Sequence, residues 1–216
     1  MQSDKLSFDK VKHEYEHDGN KMLSVTKVLP DIPEYLLYKQ TFIDKTLLGS
    51  RVHACCDAIN QHYMAHEEVP CKDAYWNETN QEKDLPYIQA YIKFLQERKP
   101  IILFSELQDY HRRYRYAGTI DGVMRIEKDK YITDIKTSAS VAPYAKLQLV
   151  AYLKIWNDNH PDGKIFKRMI IHLLPDGKYK LIRYPISDIS RDFDIFLCKL
   201  KSAQWDAENG CDGGGR

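Results

Sequence analysis

The stretch GTIDGVMRIEKDKYITDIKTS, residues 118–138, decides the fold. Two apolar runs, at residues 116–126 and 131–137, flank the polar segment EKDK, and this pattern predicts two strands joined by a hairpin turn. A symmetric turn closed by EKDK would pair Ile126 with Tyr131. Both runs are apolar enough to lie in the centre of a sheet rather than at its edge.

Three charged residues of this stretch fall on one face of the predicted hairpin. Side chains alternate between the two faces of a strand, so Asp134 and Lys136 share a face. In the symmetric register, Asp121 lies opposite Lys136 and diagonal to Asp134. Two converging acids repel each other unless a cation lies between them, and a hard divalent ion suits carboxylate oxygens. The alternative is a surface salt bridge of little energetic worth, but the apolar strands favour a functional site.

The Asp-x-Lys spacing occurs at two other places, where a turn explains it. Asp162-Gly163-Lys164 and Asp176-Gly177-Lys178 each follow a proline. Pro-Asp-Gly is typical of turns, so we expect a purely structural role for both copies.

Helices and further strands are expected on both sides of this hairpin. The pattern predicts an N-terminal β-hairpin around Asp18-Gly19-Asn20, with a helix cap at Ser24 or Thr26. Helical spacing covers residues 34–64, with a break at 48–50, and residues 84–99, 143–159 and 188–205. Further strands are predicted at residues 101–110, 165–174 and 179–184. The fold class is therefore α/β (α+β), a central mixed β-sheet flanked by helices.

Composition indicates an ordinary globular chain. Its 216 residues are 43% hydrophobic and 29% charged, with a formal net charge of +1. We expect one domain over residues 1–207 and a disordered tail at 208–216. No apolar run approaches the roughly 20 residues of a membrane span, and no secretory signal opens the chain, so the expectation is a cytoplasmic protein with no membrane contact. Five cysteines without a C-x-x-C pair argue against disulfides and zinc.

Several motifs in order resemble the PD-(D/E)XK nuclease superfamily, and most of all its RecB-type and phage-type exonuclease branch. Those motifs are Gly118-Thr119-Ile120-Asp121-Gly122, Asp134-Ile135-Lys136-Thr137, Gln148-Leu149-x-x-Tyr152, Gly49-x-x-x-His53, Glu106, and the N-terminal set His13-x-Tyr15, Gly19 and Ser24-Val25-Thr26. The resemblance spans about residues 8–185 and implies a restriction-endonuclease-like core.

The resemblance also implies a metal site. It makes Asp121 and Asp134 ligands of one or two Mg²⁺ or Mn²⁺ ions, with the main-chain carbonyl of Ile135 as a third oxygen. His53 becomes an additional ligand, although packing or solvent exposure is the ordinary explanation of a lone helical histidine. Glu106 would bind a second ion or orient water, or is simply a solvated acid at a strand end. Some relatives hold an iron–sulfur cluster, but Cys198 and Cys211 lie too far apart, so no cluster is expected.

Two helical residues complete the implied catalytic set of Asp121, Asp134, Lys136 and Gln148. Gln148 and Tyr152 lie at i and i+4, where they could orient Lys136 and contact the scissile strand. Core packing explains Tyr152 almost as well. Lys136 would position the attacking water or neutralise developing charge, or act as a base if it loses its proton.

The resulting hypothesis is a divalent-metal-dependent deoxyribonuclease, an exonuclease in phage-type or prophage-type DNA recombination, repair or replication. The alternatives are a structure-selective endonuclease and a catalytically retired nucleic-acid-binding protein on the same scaffold. The expected partner is DNA, as a single strand or a duplex end, and a recombination or single-strand-binding protein is a candidate partner. The oligomeric state stays open.

A basic segment offers a second prediction. The connection at residues 110–116 places Arg112, Arg113 and Arg115 among tyrosines that include Tyr114. This composition favours phosphate contacts and base stacking, with an exposed, solvated hairpin tip as the equal alternative. Lys39, Lys45 and Arg51 could add a second basic edge.

Overall fold

The computed structural model describes residues 6–9, 14–29 and 39–210, arranged as one mixed sheet between two helical layers. Eight strands are present in this part of the chain: β1 Leu6–Asp9, β2 Glu14–His17, β3 Asn20–Ser24, β4 Ile101–His111, β5 Tyr116–Ile126, β6 Asp129–Lys136, β7 Lys167–Leu173 and β8 Tyr179–Tyr184. The helices are α1 Val25–Val28, α2 Gln40–His66, α3 Leu85–Arg98, α4 Ala145–Asn159 and α5 Ile189–Glu208. The predicted fold class, a central mixed sheet flanked by helices, is confirmed.

The sheet is mixed because two of its pairings are parallel. Strands follow the order β1-β2-β3-β5-β6-β7-β8, and β4 pairs with the other edge of β5. The pairs β3–β5 and β6–β7 are parallel, and the remaining pairs are antiparallel. The edge of β5 opposite β4 pairs with two strands. It pairs with β3 at Tyr116 and Ala117, and with β6 over Gly122–Ile126. An opening therefore lies between β3 and β6 along this edge.

Each face of the sheet packs on its own helices. One core combines α1, α4 and α5 with Ile120, Val123 and Ile132 of the central strands. The other combines α2 and α3 with Met124, Tyr131 and Ile135. The alternation of Tyr131, Ile132 and Ile135 between these cores follows the period of two along β6, so β5 and β6 are buried central strands as predicted.

The predicted register of the β5–β6 hairpin is wrong by two residues. Asp129 pairs with Ile126, and Thr133 pairs with Gly122, because only Glu127 and Lys128 form the turn. Glu127 takes a left-handed φ of 56°, which closes this tight connection without glycine. A shift of two preserves the face of every side chain but changes its partner. Continuing the register places Asp121 opposite Asp134 rather than opposite Lys136.

Helix α2 runs through the predicted break. Its 27 residues include Gly49 in regular helical geometry. A Cβ at Gly49 would lie 3.6 Å from Oγ1 of Thr137, so this position packs closely on the end of β6. The predicted start at residues 34–38 lies outside the described residues.

Smaller differences concern the termini. Strand β1 extends the predicted N-terminal hairpin, while His13 lies outside the described residues. Helix α5 continues to Glu208, so residue 208 is helical rather than part of a disordered tail, and residues 211–216 are outside the described part. None of the described helices is long and apolar enough to cross a membrane.

Candidate active site

Asp121 and Asp134 lie on neighbouring central strands and face the same cavity. Asp121 is nearly buried, and its Oδ2 accepts a hydrogen bond of 2.8 Å from the main-chain nitrogen of Ile135. Asp134 is 1% exposed, and its Oδ2 lies 2.8 Å from Nζ of Lys136. The structure thus brings together the three residues that strand alternation placed on one face.

Lys136 is fixed by residues of helix α4. Its Nζ donates to Oε1 of Gln148 at 2.9 Å, and Nε2 of Gln148 donates to the hydroxyl of Tyr152 at 3.1 Å. Gln148 and Tyr152 are one helical turn apart on the same side of α4. Tyr152 is only 2% exposed, so it supports Gln148 from within the core while lining the cavity.

His53 approaches the acids from helix α2. Its Nδ1 is 3.5 Å from Oδ2 of Asp121 and 4.0 Å from Oε1 of Glu106. Its Nε2 donates to the main-chain oxygen of Ile135 at 3.1 Å, which is the carbonyl that the resemblance implies as a ligand. One ligand atom from each of His53, Glu106 and Asp121 lies within 4.8 Å of the others, so these three residues could hold a metal ion.

Glu106 adopts an unusual backbone conformation inside β4. Its φ is +49°, although its neighbours Ser105 and Leu107 pair regularly with Gly122 and Ile120 of β5. Left-handed geometry in a non-glycine residue costs free energy and occurs often at functional sites. The backbone strain therefore lies at Glu106, whose Oε1 is 4.0 Å from Nδ1 of His53.

Burial and mutual charge shift the pKa values of four groups at the centre: Asp134, Asp121, His53 and Lys136. Burial raises the pKa of Asp134 to about 6, against the opposing effect of Lys136. Burial also raises the pKa of Asp121, and Glu106 adds to that rise. Burial alone would lower the pKa of His53, but Asp121 and Glu106 raise it to about 9. Burial likewise opposes the charge of Lys136, yet Asp134 and Asp121 raise its pKa above the usual range.

The oxygens of this centre fit a divalent cation. Apart from the ion pair with Lys136, neither oxygen of Asp134 has a hydrogen-bond partner among the described residues, although both are buried. An unpartnered buried carboxylate is costly, and a hard cation is the partner that suits it. For Asp121, His53 is a partial substitute for such a cation, because it lies beside this acid as an imidazolium ion.

The cavity extends beyond the predicted residues. It has a volume of about 650 Å³ and reaches from His53, Glu106, Asp121, Asp134 and Lys136 to a wall that contains Phe8, Tyr15, Thr26, Gln108 and Thr119. Gln108 and Thr119 each lie two residues from a site acid on the same strand. Strand alternation from Glu106 and Asp121 could have identified them, whereas no sequence signal identifies Phe8.

The basic segment lies apart from the cavity. Arg112, Arg113 and Arg115 are exposed in the β4–β5 turn, and the nearest of them, Arg115, precedes Asp121 by six residues, or about 20 Å of extended strand. None of them lines the cavity. Their contact with DNA stays a prediction.

The tyrosines of this segment do not form the expected stacking surface. Tyr110 and Tyr116 are buried, and the hydroxyl of Tyr116 donates to the carbonyl of Ala151. Tyr114 packs edge-on against Phe193, with 5.6 Å between ring centroids. Tyr116 and Tyr114 thus anchor the turn on α4 and α5, while Tyr110 packs against Tyr15 and His17 of the N-terminal strands.

The predicted second basic edge is also smaller than expected. Arg51 forms two hydrogen bonds with the carboxylate of Asp84, at 2.6 and 2.7 Å, and is largely buried. Lys39 and Lys45 are exposed at the start of α2. Arg51 therefore has a structural partner, and only the two lysines present charge there.

The two Asp-Gly-Lys copies are structural turns, as predicted. Pro161–Gly163 forms a 3₁₀ turn, and Lys178 pairs with Asp176 at 2.9 Å on the surface. Of the four described cysteines, Cys55 and Cys56 are buried, whereas Cys71 and Cys198 are exposed.

Comparisons with known proteins give only distant likenesses. No protein-family profile and no curated protein matches the chain. Among solved structures, SSO0001 is 15% identical, with 74% of this chain and 88% of that chain covered and a TM-score of 0.33. LHK-Exo in complex with dAMP is 15% identical over 76% and 97% of the two chains, with a TM-score of 0.34. The alkaline exonuclease LHK-Exo from Laribacter hongkongensis is 15% identical over 77% and 97%, with a TM-score of 0.32.

Proposed function

We propose that the protein is a divalent-metal-dependent deoxyribonuclease of the PD-(D/E)XK type. One observation carries this proposal: two buried acids and a lysine from adjacent central strands converge in one cavity, and the buried acid Asp134 has no partner besides Lys136 among the described residues. Buried acids in such positions destabilise a fold unless they bind a cation. The order of motifs along the chain supports the RecB-type or phage-type exonuclease branch.

The residues around the cavity suit Mg²⁺ or Mn²⁺. His53, Glu106 and Asp121 form the cluster that could hold an ion, and Asp134 lies across the hairpin with Lys136 as the one described partner of its carboxylate. A bound divalent ion supplies an activated water and neutralises charge on a phosphoryl oxygen. His53 must lose the proton on Nδ1, the nitrogen that faces Glu106 and Asp121, to become a ligand, and its Nε2 can still donate to the main-chain oxygen of Ile135.

Lys136 acts as a fixed positive charge in this proposal. Because Asp134 and Asp121 raise its pKa, the lysine is an ammonium ion at neutral pH. Gln148 holds that ammonium in place at 2.9 Å, and Tyr152 holds Gln148. A preorganised cation of this kind stabilises negative charge that develops on the phosphoryl group. These contacts favour the electrostatic role over that of a general base.

The substrate assignment follows from the same cavity and from the resemblance. The cavity has a volume of about 650 Å³, and exposed arginines lie on the β4–β5 turn, apart from the cavity. We assign the chain to exonucleolytic cleavage of a DNA single strand or duplex end, in recombination, repair or replication.

The test is digestion of end-labelled linear DNA and of circular DNA in Mg²⁺, in Mn²⁺ and in EDTA. We expect metal-dependent loss of linear DNA and survival of circles, whereas cleavage of circles would indicate the endonuclease alternative. Asp134→Ala and Lys136→Ala should abolish activity. The matched controls are Asp176→Ala and Lys178→Ala, which remove a surface pair of the same spacing and should change nothing. Activity that survives in the first two variants contradicts the site.

A further inference from the structure

The far wall of the cavity has no role in the chemistry described so far. It is made by Phe8 and Tyr15 of the N-terminal strands, by Thr26, and by Gln108 and Thr119 of the central sheet. None of these side chains carries a charge at neutral pH. The cavity therefore has a charged end at the two acids and an uncharged, aromatic and hydroxyl-bearing end.

Strand geometry fixes the spacing between the two ends. Gln108 pairs with Thr119 across β4 and β5, in the row next to that of Glu106 and Asp121 on the same face. Two residues along a strand span about 7 Å, so the uncharged row begins within one nucleotide of the acids.

Tyr15 anchors the aromatic part of the wall. Its hydroxyl lies 2.7 Å from Oγ1 of Thr119, and the ring is 1% exposed against Tyr110 and Ala117. Phe8 stacks on Tyr15 with 4.5 Å between centroids and 25° between planes. Phe8 is only half-buried and also lines the cavity. The result is an aromatic platform next to polar groups.

We propose that this platform, Phe8 backed by Tyr15, stacks with the unstacked base of the nucleotide whose phosphate lies at Asp121 and Asp134. This inference rests on the proposed function and adds a base-binding subsite to it. Aromatic rings bind bases of every sequence, because each base has a flat π-face. Gln108, Thr26 and Thr119 offer donors and acceptors to the edge of the base. The uncharged composition makes a second phosphate a poor occupant.

The test measures binding of a short single-stranded oligonucleotide in Ca²⁺, against a series in which one nucleotide at a time is abasic. For the wild-type protein, one abasic position near the end should weaken binding about tenfold to a hundredfold, as expected for the loss of one stacked base. Phe8→Leu should weaken binding of the intact oligonucleotide by a similar factor. Binding by this variant should no longer depend on whether that position carries a base. Additive losses from Phe8→Leu and the abasic nucleotide would overturn the subsite.

A matched control is Leu6→Ala, which trims the same strand but does not line the cavity. It should keep the sensitivity to the abasic position, and loss of that sensitivity would mean that Phe8→Leu acts only by disturbing β1. Hydrolysis of bis(p-nitrophenyl) phosphate, which has no base, separates the two proposals. Phe8→Leu should impair DNA cleavage more than hydrolysis of this compound, and equal losses contradict the platform. A wild-type protein that cleaves neither substrate refutes the nuclease, while the binding series still decides the subsite.

Discussion

At the scale of single residues, the centre contains buried acids that repel each other, and a bound cation would relieve this repulsion. Burial raises the pKa values of Asp121 and Asp134, which means that the folded chain holds these carboxylates at a cost. Lys136 and His53 offset part of this cost from two sides. A ligand that satisfies the acids should therefore stabilise the whole fold.

Mn²⁺ should raise the thermal unfolding temperature of the wild-type protein. At a concentration one hundred times its dissociation constant, a ligand that binds only the folded state adds about 2.7 kcal/mol. Asp121→Asn should remove this shift, because Asp121 belongs to the cluster that could hold the ion. Asp176→Asn, on the surface, should keep it. Differential scanning fluorimetry with and without Mn²⁺ checks the prediction, and an equal shift in Asp121→Asn contradicts the ligand assignment.

Lys136 and Gln148 should act as one unit in catalysis. Lys136→Met should lower kcat by about 100- to 1000-fold, the range seen when a preorganised electrostatic group is removed. Gln148→Ala should have a smaller effect, because Gln148 acts through its hydrogen bond to Lys136. The double variant should be no slower than Lys136→Met alone. Single-turnover cleavage rates of the three variants decide this, and independent effects that multiply would mean that Gln148 has its own role.

The sequence predicts which residues meet at the centre better than it predicts which atoms face each other. Strand alternation is enough to place Asp134 and Lys136 on one face. The turn could not be assigned because EKDK contains no glycine or asparagine to mark its centre. In the structure, the left-handed conformation of Glu127 allows a turn of only two residues. This turn sets the register in which Asp121 lies opposite Asp134.

At the scale of elements, helix α2 serves the site and the core with residues two positions apart. His53 faces Asp121, while Arg51 is directed to Asp84 at the start of α3. Asp84 is fully buried and also accepts a hydrogen bond from the main-chain nitrogen of Gln81 at 2.9 Å. The Arg51–Asp84 pair thus joins α2 to α3 behind the site. Helical spacing in the sequence predicts a helix over residues 84–99 but could not reveal this pairing across 33 residues.

Asp84→Ala should reduce the free energy of unfolding by about 3 kcal/mol, because it leaves Arg51 largely buried without its partner. Burial alone would raise the pKa of Asp84, but the hydrogen bonds from Arg51 and Gln81 hold it below its ordinary value. The contribution of Asp84 is therefore present above a pH of about 4 and is lost as the pH falls through the lowered folded-state pKa.

Urea unfolding at neutral and acid pH measures this effect. The difference between the wild type and Asp84→Ala should narrow in acid, since both proteins then lack the charge at position 84. Asp73→Ala changes an exposed acid close by in the chain and should be nearly neutral at both pH values. A difference that stays constant with pH would contradict the ionic contribution.

Gly118→Ala should disturb the site through helix α4. A Cβ at Gly118 would lie 2.6 Å from Cε1 of Tyr152, too close for either group to stay in place. We expect a loss of about 1–3 kcal/mol in stability and a lower kcat, because Tyr152 supports Gln148. Gly163→Ala, where the nearest atom is 3.8 Å away, is the control and should be tolerated. Urea unfolding and kcat together test this; a stable variant with normal kcat contradicts the packing role.

At the scale of the whole molecule, the acids and the arginines occupy different parts of one sheet. The order of elements along the chain indicates a mixed sheet, but the parallel contact of β3 with β5 joins residues about ninety positions apart and has no local signal. That contact brings the N-terminal strands over the cavity. The arginine turn lies beyond it, about 20 Å along the strand from Asp121.

Alanine at Arg112, Arg113 and Arg115 should weaken DNA binding and lower its salt dependence. Each lost phosphate contact reduces the slope of log K against log salt by about 0.7 for a single strand and about 0.9 for duplex DNA. The control replaces three exposed cations on the far side of the sheet, Lys178, Lys180 and Arg183. Binding titrations over a range of salt concentrations compare the two triple variants, and equal slopes would show that the turn is only a solvated tip.

The opening in the edge of β5 bears on aggregation. Strand edges with unpaired main-chain groups are templates on which other chains add, and proteins usually block them. Between Gly118 and Asp121, this edge of β5 pairs with no strand among the described residues. The opening is only four residues long, with β3 at one end and β6 at the other. A typical strand of five to six residues is too long to enter. The molecule can therefore leave this stretch of β5 without a strand partner at its cavity and still offer a neighbouring chain no place to grow.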